Sequence, residues 1–448
     1  MQANRLADHV VDRIHSLCGP LELDAGPIVD CFCEVVAPWL KTPDGWRSEI
    51  ADDHTPLELS VTLDETSAFR VLFEPQGDEP SLVRFKEAGI AFHELIEQQH
   101  GADLRRFRAV SDLFLPERPQ GTFAIWSSLV FSAHAPTLFK AYLNPNAQGR
   151  AHAPALVDEA LRRFAIRPRL SAATRRGPHL DELKYFALDL GADAHARVKV
   201  YVHHHGATAA DLEVACEGAR NHAPGSVLEF ARAMRGGDQP MLARAPFTCH
   251  AFDSARPNEA SVTAYVPICA YAPHDAAAVE RVSDYLSSSG LDPQRYRAVV
   301  NAAARRPLDA ATGLQSWIAL RHAPGTPRLT VYLATEAGRV YDAGSVPAPT
   351  RDPFEFATPL ALLTDRPVLM HPRLLREPTV AKAIQPLLAR FGVNPNPGAR
   401  AAAAAIASQL ALTLGESAPV RARDEVRSFV RGVMDVHTAV WRTLDDLA

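Results

Sequence analysis

Four segments of the chain place a polar or basic residue two positions before a tyrosine, with a small or branched apolar residue between them. They are Lys140-Ala-Tyr142, Arg197-Val-Lys199-Val-Tyr201, Thr263-Ala-Tyr265 and Arg328-Leu-Thr330-Val-Tyr332. Alternate side chains of a β-strand share one face, so each polar set is expected on the same face as its tyrosine. Guanidinium and ammonium groups suit phosphate oxygens, and electron-rich rings attract a cation. The segments therefore predict a site for a phosphorylated ligand whose organic part becomes positively charged.

Each segment belongs to the second strand of a predicted hairpin, and helical patterns precede each hairpin. The order helix, helix, strand, strand occurs five times before residue 335, at intervals of about 60 to 70 residues, although only one helix is visible in the third unit. The predicted strands are 57–63, 69–73, 121–131, 138–143, 184–190, 196–203, 246–253, 261–268, 314–321 and 328–334. The predicted helices are 3–18, 25–40, 81–99, 102–113, 154–165, 208–219, 224–234, 275–289 and 292–305.

Ten strands in consecutive hairpins have two unpaired edges unless they close into a barrel. A ten-stranded barrel is wider than side chains alone can fill, so it should have a lumen for ligands. The expected fold class is α+β, a ten-stranded antiparallel β-barrel of five ααββ repeats inside an outer ring of helices. The barrel domain is expected over residues 1–350. A C-terminal helical extension is expected over 351–448, with helices near 371–392, 399–414 and 421–446.

The apolar residues of each strand should pack against the helices, which turns the polar ones into the lumen. Arg70 on the second strand of the first unit joins the others, so five cations are expected inside: Arg70, Lys140, Arg197, Lys199 and Arg328. Five cations in one lumen would repel each other strongly without an anionic ligand, so the expected ligand is a polyanion such as diphosphate. A carbocation formed by loss of diphosphate would be stabilised by four tyrosines: Tyr142, Tyr201, Tyr265 and Tyr332. The simpler reading is a solvated strand face or generic barrel packing.

The chain resembles the aromatic prenyltransferases of the dimethylallyltryptophan synthase type, which have the α-β-β-α (PT) barrel fold. The matching motifs are Thr55 to Ser60, Phe69 to Pro75, Lys140 to Pro145, Arg197 to Tyr201, Ala264 to Pro267 and Arg328 to Leu333. The resemblance implies that the lumen cations bind dimethylallyl diphosphate, that the tyrosines shield the allyl cation, and that no metal or other cofactor is needed. It also implies that Glu58 holds the N–H of an indole acceptor. Because Glu58 alternates with Leu57 and Leu59, it should face the lumen; a salt bridge to a lumen arginine is the alternative.

Three departures from the family pattern bear on mechanism. Thr263 stands where many members have a longer amide, and 125–129 lacks the lysine that serves as a base in some members, so the proton acceptor stays open. The C-terminal extension has no counterpart in the shorter bacterial members. Lys184 lies at a position where some members of the family bind the carboxylate of an amino-acid acceptor. The acceptor could also be tyrosine, a cyclic dipeptide or a fused tricyclic aromatic, and a non-catalytic barrel that binds an anionic aromatic is the alternative of another class.

Composition restricts the partners. The chain has 448 residues with 47 Lys and Arg against 52 Asp and Glu, a net charge of -5, which argues against nucleic acid. The longest uncharged stretch, 401–414, is too short for a membrane span, and the amphipathic N-terminus does not resemble a signal peptide. The expected partners are therefore a prenyl diphosphate and a small aromatic acceptor, in the cytoplasm. The oligomeric state is left open.

Overall fold

The computed structural model describes residues 5–342, apart from 42–44, 47, 64–66, 134, 168–169, 178–179, 193–195, 324–325 and 338–340. The predicted C-terminal helical extension, residues 351–448, lies outside the described residues. Its three helices and its boundary with the barrel domain therefore stay predictions.

The strands follow the predicted order. They are β1 (Leu57–Thr62), β2 (Phe69–Phe73), β3 (Ile125–Ser132), β4 (Ala135–Leu143), β5 (Asp181–Asp189), β6 (Val198–His204), β7 (Phe247–Asp253), β8 (Arg256–Val266), β9 (Ala311–Thr312), β10 (Gln315–Ala323), β11 (Thr326–Leu333) and β12 (Tyr341–Asp342). The largest difference from prediction is at β8, which begins five residues early. The polar segment 256–260 has no apolar alternation, yet Arg256 pairs with Asp253 across the hairpin and extends the strand.

The strands β1 to β8, β10 and β11 form a closed antiparallel barrel. Neighbours along the chain pair as hairpins or across a helical connection, and β1 closes the barrel by pairing with β11 in the register Leu59 to Leu333. The short strands β9 and β12 pair separately. The predicted barrel is confirmed. Alternate strands of an antiparallel barrel run in the same direction, which makes five strands mutually parallel: β2, β4, β6, β8 and β11. Residues at equivalent positions on these strands therefore lie toward the same end of the lumen.

Helices precede each hairpin. They are α1 (Arg5–Leu21), α2 (Ala25–Cys31), α3 (Leu82–His100), α4 (Arg105–Arg108), α5 (Ser111–Phe114), α6 (Ala153–Arg163), α7 (Ala209–Ala215), α8 (Ser226–Arg235), α9 (Asp275–Ser288) and α10 (Gln294–Ala303). The predicted helix 102–113 is two single turns, α4 and α5, and the predicted helix 25–40 continues past α2 as a π turn and a 3₁₀ turn. None of the helices described is long and apolar enough to span a membrane.

Sequence features explain where the helices begin and how closely they pack. The Ser81 hydroxyl accepts the Arg84 N–H at the start of α3, and Thr208 and Asp211 form a capping box at the start of α7. Gly89 lets α3 approach the barrel, because a Cβ there would lie 2.9 Å from Cβ of Ile125 on β3.

The core lies between the barrel and its helices. On β1, Leu57, Leu59 and Val61 point outward into this core, and Glu58 and Ser60 alternate with them. A separate aromatic cluster, which includes Tyr201, Phe247, Tyr265 and Trp317, fills part of the lumen. The strands therefore have one apolar face toward the helices and one polar and aromatic face inside, as their alternation predicts.

Candidate active site

The cations of the lumen lie toward one end of it. On each of the parallel strands β4, β6 and β11 the basic residues precede the tyrosine, so they all lie toward the same end. We call this end the basic end; it comprises Arg70, Lys140, Asp189, Arg197, Lys199, Arg321 and Arg328. Lys140 and Lys199 are buried, 6% and 5% exposed. Burial lowers the pKa of both lysines, and neighbouring cations lower it further.

The four predicted tyrosines lie next along the lumen and form a layer. Ring centroids are 6.0 Å apart between Tyr142 and Tyr201, 6.3 Å between Tyr201 and Tyr265, and 5.8 Å between Tyr265 and Tyr332. Burial raises the pKa of all four, that of Tyr332 to about 12, so the rings are neutral phenols. The layer therefore presents π faces without adding charge.

Beyond the tyrosines the lumen is aromatic. Trp126 stands opposite Tyr142, Phe247 stacks on Tyr265 at 4.1 Å between centroids, and Trp317 lies 4.6 Å from Phe247. We call this the aromatic end; it comprises Glu58, Trp126, Lys184, Tyr185, Phe247 and Trp317, which line one cavity with the tyrosine layer. A flat aromatic molecule is the ligand that such walls favour.

Glu58 is the carboxyl group of the aromatic end. It is 5% exposed, and the Ser316 hydroxyl donates to its Oε1 at 2.6 Å. Burial raises the pKa of Glu58 to about 8; Asp52 also raises it, while the Ser316 hydrogen bond and Arg244 lower it. The structure places Glu58 in the lining of the lumen cavity, where its hydrogen bond is with a serine. A carboxyl group placed here can accept a hydrogen bond from a ligand inside the cavity.

Two loops contribute to the lining of the aromatic end. Residues 49–52, before β1, and Arg244, before β7, line the same cavity as Glu58. Arg244 Nη1 forms an ion pair with Asp52 Oδ2, and its guanidinium lies 4.3 Å from the Trp317 ring centroid. The pair thus joins two loops that line the cavity.

Lys184 reaches the cavity because of a β-bulge. The register of β5 with β6 shifts between Leu183 and Tyr185, so Lys184 and Tyr185 both line the lumen although they are consecutive. Beyond the bulge Phe186 and Leu188 belong to the outer core, whereas Ala187 belongs to the inner cluster. Simple alternation from Lys184 would have assigned the wrong face to the rest of β5.

On the first strands of the hairpins, sequence reasoning identified Glu58 and Lys184 but missed five other residues of the site: Trp126, Asp189, Phe247, Trp317 and Arg321. Arg321 stands directly opposite Arg328, and burial, Arg197 and Arg328 all lower its pKa. One signal could have helped: the chain has only six lysines, and three of them, Lys140, Lys184 and Lys199, lie in the barrel lumen.

The sequence led us to expect that only a ligand would offset the positive charge of the lumen cations, but Asp189 of the protein already offsets part of it. Its Oδ1 accepts from Lys199 Nζ at 2.6 Å, its Oδ2 accepts from Arg197 Nε at 2.7 Å, and Lys140 Nζ lies 4.0 Å from Oδ1. Burial alone would raise the pKa of Asp189, but the three cations outweigh it and hold that pKa far below its usual range. The basic end still has more cations than this carboxylate can pair. A buried Nη1 of Arg70 has no hydrogen-bond partner among the described residues.

Within the part of the chain that the structure describes, no group of three His, Cys, Asp or Glu side chains is arranged to hold a metal ion. The candidate site consists of the basic end, the tyrosine layer and the aromatic end, in that order along the lumen.

Comparisons with known proteins agree with this site. A family model for tryptophan dimethylallyltransferases matches residues 27–299. One similar structure is 6-dimethylallyltryptophan synthase from Micromonospora olivasterospora in complex with DMASPP and Trp. Its sequence is 31% identical to this chain, its TM-score is 0.68, and the match covers 76% of this chain and 100% of that chain. The 5-dimethylallyltryptophan synthase from Streptomyces coelicolor, also with DMASPP and Trp, is 28% identical with a TM-score of 0.67, covering 76% and 97%. Prenyltransferase PriB with L-tryptophan and dimethylallyl thiolodiphosphate is 29% identical with a TM-score of 0.67, covering 76% and 99%.

These matches confirm the fold and the predicted enzyme class, a prenyltransferase. The chain therefore belongs to the tryptophan dimethylallyltransferase family.

Proposed function

We propose that this prenyltransferase transfers a dimethylallyl group from dimethylallyl diphosphate to the ring of an indole, with free tryptophan as the preferred acceptor. The observation that carries the proposal is the order of the lumen: cations, then tyrosines, then an aromatic cavity with Glu58. This order matches a diphosphate, an allyl group and an aromatic acceptor placed end to end. Relatives solved with DMASPP and tryptophan support the same pair of substrates here.

At the basic end, Arg70, Lys140, Arg197, Lys199 and Arg328 bind the diphosphate. Three cations share Asp189, and Arg70 keeps an unpaired buried N–H, so the site has donors in excess of its own acceptors. Forked guanidinium donors and compact ammonium groups stabilise the negative charge that develops on the leaving oxygens. The carbon–oxygen bond then breaks, and its electron pair leaves with the diphosphate.

In the tyrosine layer, Tyr142, Tyr201, Tyr265 and Tyr332 surround the allyl cation. Their neutral rings offer cation–π attraction, and their close contacts exclude water that would otherwise capture the cation. The layer keeps the cation available for the acceptor that enters from the aromatic end.

At the aromatic end, Glu58 accepts the indole N–H. The ring gains positive charge as it attacks the allyl cation, so Glu58 stabilises the transition state more than it stabilises the bound acceptor when it is ionised. Because burial raises its pKa to about 8, the ionised form is gained as pH rises through that value. A new carbon–carbon bond forms from the ring π electrons, and the ring proton then leaves to a base. Glu58 is therefore proposed as the catalytic residue on the acceptor side.

The charges around the cavity favour an acceptor with its own carboxylate. Lys184 and Arg244 both line the aromatic end, and each is a cation that an amino-acid carboxylate could pair with. A cyclic dipeptide or a fused tricyclic aromatic lacks that group. Free tryptophan is accordingly favoured over those acceptors, and tyrosine is the amino acid to compare with it.

We also propose that catalysis needs no metal ion, since side chains at the basic end can offset the diphosphate charge. A cytoplasmic location, without nucleic-acid or membrane partners, is part of the same proposal.

The test is to incubate the full chain with dimethylallyl diphosphate and each of four acceptors, tryptophan, tyrosine, a cyclic tryptophan dipeptide and a tricyclic aromatic, in EDTA. Prenylated tryptophan and equimolar diphosphate are expected, identified by mass spectrometry and NMR. Faster prenylation of tyrosine or the dipeptide would overturn the acceptor assignment. Diphosphate release that requires added Mg²⁺ would overturn the proposed metal independence. Acceptor binding without diphosphate release would favour a non-catalytic barrel.

A further inference from the structure

The proposed diphosphate site already contains a carboxylate. Asp189 ends β5 directly opposite Lys140 of β4, and it is 3% exposed. Its two oxygens contact different partners, Lys199 Nζ at 2.6 Å and Arg197 Nε at 2.7 Å. The Asp189 N–H also donates to the Arg197 carbonyl at 2.9 Å, which fixes the position of the carboxylate relative to both donors.

The surroundings of Lys199 show what this contact does. Arg197 immediately precedes β6, which carries Lys199, and Lys140 on β4 lies 4.0 Å from the same oxygen of Asp189 that contacts Lys199. The Cys249 thiol of β7 is a further electrostatic neighbour. Burial lowers the pKa of Lys199, Arg197 lowers it further, and Asp189 raises it. The same balance applies to Lys140, where burial and then Lys199 lower the pKa and Asp189 raises it. Burial raises the pKa of the Cys249 thiol, so that group is neutral and does not compensate a cation.

We propose that Asp189 is the resident counter-anion of the basic end: it keeps Lys199 protonated and oriented while the site is empty, and it yields the Lys199 ammonium to an incoming diphosphate. The exchange forms and breaks hydrogen bonds only, and no proton moves in the native protein. The part about diphosphate rests on the proposed function; the part about the lysine does not. Asp189 is thus a positioning residue that acts through Lys199.

A neutral residue at 189 changes the protonation of the empty site. In Asp189→Asn the Lys199 ammonium stays buried beside Arg197 and Lys140 but has no carboxylate, so it should release its proton at lower pH. Diphosphate binding would then have to take a proton from solvent. Affinity for diphosphate should consequently fall with rising pH more steeply than in the native protein.

The first experiment needs no ligand. The full chain is labelled with [ε-¹³C]lysine, whose six signals are resolvable, and Lys199→Arg assigns the Lys199 signal. In Asp189→Asn the acid dissociation constant of Lys199 is expected to rise at least tenfold. Asp189→Glu, which keeps the charge, should resemble the native protein. Asp253→Asn is the matched control, because Asp253 also ends a strand but pairs with Arg220 at 3.1 Å rather than with a lysine.

The second experiment uses inorganic pyrophosphate as the probe. Calorimetry at pH 7 and pH 8.5, in two buffers of different ionisation enthalpy, counts protons taken up on binding. The native protein should take up few protons when it binds pyrophosphate, and Asp189→Asn should take up close to one proton more. The double variant Asp189→Asn with Lys199→Arg should not take up this additional proton, because arginine stays charged. Asp189→Ser provides a second neutral variant if the asparagine variant does not fold.

The outcomes separate the two proposals. Unchanged Lys199 titration in a folded neutral variant overturns the role of Asp189, whatever pyrophosphate does. If Lys199 shifts as expected but the native protein does not bind pyrophosphate, the counter-anion role stands and the diphosphate assignment fails.

Discussion

The basic and aromatic ends of the lumen are constructed in different ways. The basic end consists almost entirely of alternate residues on strands, held in place by the hydrogen bonds of the barrel. The aromatic end adds two loops, 49–52 and the one carrying Arg244, which meet through the ion pair with Asp52. Loops tolerate change more readily than barrel strands do. The difference indicates that the donor side of the site is fixed by the fold, whereas the acceptor side can vary.

Removing a cation from the basic end should therefore have the largest effect, and the effect should be confined to the donor. Arg197→Ala and Lys199→Ala each remove charge-assisted hydrogen bonds worth about 1.5 to 3 kcal/mol, or roughly 10- to 150-fold in kcat/KM for dimethylallyl diphosphate. Acceptor binding should change little. Steady-state kinetics with each substrate varied in turn measure this, with Lys86→Ala on α3 as the control. Near-native donor kinetics in both variants would contradict the diphosphate assignment.

Changing Glu58 should have a smaller effect, and on the acceptor side. At pH 9, where Glu58 with its pKa of about 8 is ionised, Glu58→Gln keeps the size but removes the charge, so kcat and kcat/KM for tryptophan should fall together by about tenfold while the donor KM stays near native. The native enzyme should use N1-methyltryptophan poorly, and the variant should discriminate much less between the two acceptors. Equal use of both by the native enzyme would mean that the indole is not held through its nitrogen.

The contrast between the two ends also explains what the sequence could predict. Lys199 and Tyr201 lie on the regular strand β6 and Arg197 immediately precedes it, so period-two alternation places all three correctly. At β5 the bulge before Tyr185 reverses the alternation, and Asp189, four residues beyond, could not be assigned to the lumen from spacing alone.

The aromatic end was less predictable for a different reason. Arg244 and Asp52 are 192 positions apart and meet only through loop conformation, for which the sequence has no periodic signal. Trp126, Phe247 and Trp317 lie on first strands, which resemble ordinary apolar core strands because their inward residues are themselves apolar. The fold was predictable because five repeats reinforced each other, whereas each of these contacts occurs once.

The two ends should also respond to pH in opposite directions. Burial raises the pKa of Glu58 to about 8 from an ordinary value of 4.5, so the folded protein retains a proton that the unfolded chain releases. The free energy of unfolding therefore falls as pH rises between about 4.5 and 8. Glu58→Gln cannot ionise, so between pH 5 and pH 9 its free energy of unfolding should rise by about 4 kcal/mol relative to that of the native protein. Thermal unfolding of the ligand-free proteins at both pH values measures this, and an equal difference at the two values would show that Glu58 is not the group responsible.

Lys140 provides the opposite case, with the smallest expected effect. Burial and Lys199 hold its pKa below the ordinary value of 10.5, so the folded protein binds fewer protons than the unfolded chain over the alkaline range below that value. The contribution of Lys140 to the free energy of unfolding therefore becomes more favourable as pH rises toward 10.5.

Lys140→Met replaces the ammonium with an apolar side chain. The nearest carboxylate contact of the native Lys140, 4.0 Å to Asp189, is longer than a hydrogen bond. Without donor, the variant should be more stable than the native protein by about 1 kcal/mol near pH 6.5, and the gap should narrow toward pH 10. With pyrophosphate bound at pH 6.5, the native protein should become more stable than Lys140→Met, because pyrophosphate binds the native protein through an ammonium that the variant lacks. If Lys140→Met is less stable at pH 6.5 without ligand, the empty basic end is not under electrostatic strain at this position, and the contrast with Glu58 fails.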